Sequence, residues 1–99
     1  MQLNDVPAHA PGVVSRLVDG EAVIIHQRQG RVRVLNGVGS RLWELADGQR
    51  RVVELTEIVT REYNVDGDRA ATETLAFLTD LAERGLLVVS SQQIGPSLP

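Results

Sequence analysis

The spacing of apolar positions changes from strand-like to helical at Leu35-Asn36. Before that point β-branched residues come in short runs. After it apolar residues recur at three- and four-residue intervals, the helical period. Val13–Val18 is rich in strand formers, and Asp19-Gly20 separates it from Glu21–Gln27, whose centre is Ala22-Val23-Ile24-Ile25. Asp-Gly between two such runs is a strong short-range hairpin signal. A second turn at Arg28-Gln29-Gly30 leads into Arg31–Leu35, where alternation sets Val32 and Val34 on one face and Arg31, Arg33 and Leu35 on the other. The pattern predicts a three-stranded antiparallel meander. Met1–Gly12, with Pro7 and Pro11 and no apolar period, reads as an extended arm.

Downstream, Asn36 is a good N-cap for a first helix over about Gly37–Asp47, with Gly48 at its C-cap position. Val38, Leu42, Leu45 and Ala46 form its apolar stripe, flanked by the single tryptophan, Trp43. A second helix is expected over Val52–Tyr63, burying Val52, Leu55, Ile58, Val59 and Tyr63. Asn64-Val65-Asp66-Gly67 is a turn, and Asp66 or Asp68 can cap a third helix over about Asp68–Arg84. Gly85 ends that helix, Leu86-Leu87-Val88-Val89 is a final strand, and residues 90–99 read as a polar, frayed tail. The order β-β-β-α-α-α-β predicts an α+β fold: a winged helix-turn-helix with an N-terminal three-stranded antiparallel sheet. The domain is expected over residues 13–89, between the arm (1–12) and the tail (90–99).

The third helix carries more apolar arc than one contact needs. On a helical wheel its apolar residues, from Leu75 through Leu78 to Leu81 and Phe77, span about 160°. A single packed face takes about 100°. Packing against two elements would explain the excess. So would a groove lined around Phe77 and Leu81. The meander also has open edges, whose unpaired main-chain groups can accept a further strand. Arg31 and Arg33 on its last strand could meet acidic side chains of an added peptide, or simply protect the edge with charge.

Composition removes most other chemistry. There is no cysteine, so disulfides, Cys-zinc sites and thiol nucleophiles are excluded. A cytoplasmic setting is compatible with that. No apolar run approaches the roughly 20 residues that span a membrane, and no signal peptide is recognisable at the start. His9 and His26 are far apart and lack a third ligand at metal spacing, so no metal site is expected. Gly37-Val38-Gly39 has Leu42 where a dinucleotide loop needs its third glycine. No serine has a nucleophile-elbow context, no catalytic constellation is found, and no cofactor is implied. Residues 40–99 hold six arginines against ten acids. The third helix, the recognition helix of a winged-helix DNA-binding regulator, is itself acidic, which argues against nucleic acid. A structural dimer joined through the open sheet edge is the other alternative.

The order of motifs resembles the PqqD-like family, named for the PQQ-synthesis protein D, whose domain is also called the RiPP recognition element. The resemblance runs over about residues 13–89. It is carried by Asp19-Gly20-Glu21-Ala22-Val23, by Leu35-Asn36 followed by Gly39, Leu42-Trp43 and Asp47-Gly48, then by Ile58-Val59, Glu62-Tyr63, Phe77-Leu78, Leu81 and Gly85-Leu86-Leu87. It implies a non-catalytic domain that binds the leader of a ribosomally made precursor peptide and presents it to a modifying enzyme, such as a radical SAM enzyme or a leader peptidase. The leader would add as a strand beside the third strand, against the third helix. Carried onto this chain, that site is Arg31, Val32, Arg33, Val34 and Leu35 on one side and Thr74, Phe77, Leu81 and Arg84 on the other. The chain departs from the family in three places. Val32-Arg33-Val34 stands where aromatics are frequent, Arg51 where a Thr or Ser cap is frequent, and Thr74 where an apolar residue is usual.

Overall fold

A computed structural model describes residues 1–91. Five strands and three helices follow in the order β1 (Asp5–His9), β2 (Val13–Val18), β3 (Glu21–His26), β4 (Arg31–Val34), α1 (Gly37–Leu45), α2 (Val52–Tyr63), α3 (Gly67–Glu83) and β5 (Leu87–Ser91). The expected meander is the antiparallel sheet β2-β3-β4. Its first turn is Asp19-Gly20, and both residues have positive φ (52° and 80°), the backbone that lets a two-residue turn follow the strand twist.

The N-terminal arm needs correction. Residues 5–9 form β1, which pairs antiparallel with β5 from Asp5↔Ser91 to His9↔Leu87 in a second, two-stranded sheet. The expected order therefore gains a strand at its front. Pro7, Ala8 and His9 give no strand-like apolar alternation, so the pairing is decided by a partner 78 to 86 residues away. Of the expected tail, Ser90 and Ser91 belong to β5, and residues 92–99 lie outside the described residues.

The core is built from Ile24 of β3, Leu42 and Trp43 of α1, Val52 and Leu55 of α2, and Leu78 and Leu81 of α3, closed by Leu86 and Leu87. Trp43 is held on three sides. Its indole N–H donates to Ser15 Oγ at 2.9 Å, the His9 ring stacks on it at 3.7 Å, and His9 Nε2 lies 2.8 Å from its carbonyl. Ser40 ties the sheet to α1: its hydroxyl accepts from Ala22 N at 2.7 Å and donates to Leu35 O at 3.0 Å. Asn36 caps α1 as expected, accepting from Gly39 N at 2.9 Å. Gly39 then permits a close approach, because a Cβ there would come within 3.1 Å of both Phe77 Cζ and Asn36 Oδ1. These contacts fix how the end of β4 lies relative to α3.

Helix α2 starts at Val52 although Arg51 replaces a hydroxyl cap. Glu54 reaches back instead, accepting from Arg51 N at 2.8 Å, half of a capping box. That bond holds the Glu54 carboxyl below the ordinary glutamate value, and the two-point bond from Arg41 (2.8 Å to each oxygen) does the same for Glu62. A carboxylate whose folded pKa is depressed adds stability that is complete above its unfolded value and is lost as pH falls through the folded one. Both contributions are therefore present at neutral pH and fade below about pH 4.5. The double variant Glu54→Gln/Glu62→Gln is expected to melt lower at pH 7 and to lose less on acidification. Thermal melts between pH 7 and 3 check this, and parallel curves for variant and parent would refute it.

Candidate functional site

Strand β4 is an edge. It pairs only with β3 within its sheet, from Val23↔Val34 to His26↔Arg31. Leu35 N donates to Ala22 O at 2.9 Å, and Gly30 N to His26 O at 2.8 Å. In an antiparallel ladder successive residues direct their main-chain groups to opposite sides. Arg31, Arg33 and Leu35 thus face β3, and Val32 and Val34 present their N–H and C=O groups to the open edge. The alternation read from the sequence holds for side chains too. Arg33 lies opposite buried Ile24 and points to the helical side, while Val32 and Val34 lie on the outer face, 62% and 56% exposed.

Helix α3 lies on the helical side of β4, joined to it through Arg33 and Asp80, and two separate cavities open along it. At one end is a cavity of about 600 Å³ bordered by α1, the end of α2 and the first half of α3, with Val38, Tyr63, Val65, Thr74 and Phe77 among its lining. At the other end is a cavity of about 120 Å³, where Arg31 and Arg33 meet Arg84, with His26 and Gln29 beside them. Arg33 Nη2, at the smaller cavity, contacts Asp80 Oδ2 at 3.3 Å. The arrangement offers an extended segment a row of main-chain partners, an apolar recess and a basic recess. Among the described residues, no group of three or more metal-ligating side chains comes together.

The sequence profile described as coenzyme PQQ synthesis protein D (PqqD) matches residues 21–87. The chain belongs to the PqqD family. Three solved structures share its fold. TbiB1, solved in complex with the TbiA(beta) leader peptide, is 34% identical, with 81% of this chain and 93% of TbiB1 covered and a TM-score of 0.76. A lasso peptide synthetase B1 complexed with the leader peptide is 20% identical, covering 84% and 98%, with a TM-score of 0.77. The PqqD truncation of Methylobacterium extorquens PqqCD, a stand-alone RiPP recognition element, is 24% identical, covering 84% and 88%, with a TM-score of 0.69. No curated protein matches the chain in sequence.

The site residues expected from the PqqD-like resemblance divide into three groups. Arg31, Arg33 and Arg84 come together at the basic recess, and Val32 and Val34 supply the open edge. Thr74 and Phe77 line the apolar recess, Thr74 almost wholly buried and Phe77 half-buried. Leu35 and Leu81 require correction, because both side chains are in the core and Leu81 is 0% exposed. The wide arc of α3 therefore has both causes. Its Leu78–Leu81 side packs on the other elements, and its Phe77 flank borders the apolar recess. Missed in the sequence were Val38, Tyr63 and Val65. Val38 and Tyr63 sit on apolar stripes that were read as core, yet both are exposed and line the recess. The available signal was that these stripes run past what one small core can cover.

Proposed function

We propose that this chain is a non-catalytic recognition module. It binds the leader of a ribosomally synthesised precursor peptide as an added strand on β4 and presents it to a modifying enzyme. The observation that carries the reading is the free main-chain edge at Val32 and Val34, with an apolar recess lined by Phe77 opening at Asn36, two residues past the end of the strand. The bound leader in the related TbiB1 supports it. Main-chain bonds contribute about 1 kcal/mol each and a buried apolar anchor about 1.5–3 kcal/mol. After ordering costs, affinity near the micromolar range is expected. Such a module would work in the cytoplasm, where precursor peptides are made, beside an enzyme such as a radical SAM enzyme or a leader peptidase. A homodimer through β4 would compete with peptide for the same edge.

Calorimetric titration with the leader of a co-encoded precursor tests the proposal, together with amide exchange across Arg31–Leu35. Heat, together with protection of Val32 and Val34, is expected; no heat and no protection would overturn it. Phe77→Ala is expected to weaken binding about tenfold. Its stability cost should stay below the 3–5 kcal/mol typical of a fully buried Phe. Unfolding at room temperature would instead make Phe77 a core residue.

A further inference from the structure

We infer that the basic recess between β4 and the C-terminal end of α3 is a carboxylate site. The peptide this protein recognises then carries an Asp or Glu at a fixed distance from its apolar anchor. This rests on the strand-addition reading and specifies its ligand further.

The chain as a whole is acidic, at −3, yet Arg31, Arg33 and Arg84 converge on one cavity of about 120 Å³. The acids beside them are few. Asp80 serves two guanidiniums at once: Arg84 Nε at 3.0 and 3.1 Å, and Arg33 Nη2 at 3.3 Å. The Arg33 contact is longer than the roughly 2.7–2.9 Å of a tight charge-assisted bond. Glu83 does not line this recess; it borders a neighbouring one with Arg31, Gln29 and Arg84. Arg31 has no carboxylate partner among the described residues. N–H donors therefore exceed acceptors, and a planar guanidinium pairs best with a carboxylate. The Asp80 pairs are a third to a half exposed, so they are weak and exchangeable. Asp80 occupies the arginines until a better-placed carboxylate arrives.

The two recesses set the spacing. Asn36, two residues past the end of β4 and the N-cap of α1, borders the apolar one, and Arg31, the first residue of β4, borders the basic one, five positions earlier in the chain. At about 3.4 Å per residue an extended peptide needs about four to six residues to bridge them. An antiparallel peptide would place the acid C-terminal to its anchor, a parallel one N-terminal to it.

A display library of random peptides selected on the full chain tests this, with the selected sequences remade as C-terminally amidated peptides so that only side chains carry carboxylates. Expected is enrichment of Asp or Glu at one offset from an aromatic or aliphatic residue. Replacing that acid by its amide should weaken binding about fivefold in the parent protein, and less in Arg31→Gln or Arg84→Gln. Asp80→Asn should tighten the acidic peptide and leave its amide counterpart unchanged, a gain that misfolding cannot mimic. Selected peptides that protect Val32 and Val34 without acid enrichment would overturn the carboxylate site and leave strand addition standing. Failure of any selected peptide to protect β4 would overturn both.

Discussion

Val32→Pro is expected to lower peptide affinity at least about tenfold while leaving the fold intact. The Val32 N–H points away from β3, so proline removes no existing ladder bond, and at an edge such a residue is tolerated. The Val32 side chain is mostly exposed, so little packing is lost either. What disappears is a donor that an added strand would use, worth about 1 kcal/mol, and the ring obstructs close approach of the new strand. Tenfold corresponds to about 1.4 kcal/mol. Calorimetry with the leader and a thermal melt read the two effects separately. Arg33→Pro is the matched control. Its N–H faces β3, so the same substitution one residue along removes a ladder hydrogen bond and should destabilise the sheet. Parent-like binding by Val32→Pro would exclude strand addition at β4.

Leu81→Ala should do the opposite, removing stability and sparing recognition. Leu81 is wholly buried among Ile24, Leu78 and Leu86, and its truncation leaves a cavity in a core with little to spare. The loss is expected at about 2–5 kcal/mol, out of a total of about 5–15 kcal/mol for a domain of this size. A midpoint lower by about 10–30 °C follows. Denaturant titration gives the stability, and titration of the remaining folded protein gives the affinity, expected within about threefold of the parent. If the midpoint barely moves and binding is lost, Leu81 faces a recess after all. Together with Phe77→Ala, this variant separates the two halves of the α3 arc.

The local elements were legible because each has a local cause. Asp19-Gly20 set the hairpin, Asn36 capped α1, and strict alternation fixed which residues of β4 face the helices. The second helix began at Val52 as expected, with Glu54 making up for the missing hydroxyl at Arg51. Strand β1 was not legible. Its pattern is masked by Pro7 and by His9, whose role is to stack on Trp43, 34 positions away.

Of the candidate site, the sequence offered the strand with Arg31 and Arg33, from alternation and charge, and Phe77, from an arc too wide for one contact; Thr74 and Arg84 came only from the family resemblance. Periodicity reports that a residue is apolar on a given face, and it does not report where the core stops. Leu81 and Phe77 lie on the same flank of the same wheel, yet one is sealed and the other borders solvent. The boundary between them depends on how close α1 comes, and that is set by the bare Cα of Gly39 against Phe77 and by the Ser40 hydroxyl holding β3 and the end of β4. Sequence by itself determined the elements from β2 onward and the faces of β4, because those follow from neighbours within a few residues. Only the tertiary structure decided that the N-terminal segment is a strand, that Asp80 bridges Arg33 and Arg84, and that one recess is apolar and another basic. Each of those depends on groups brought together from distant parts of the chain by packing.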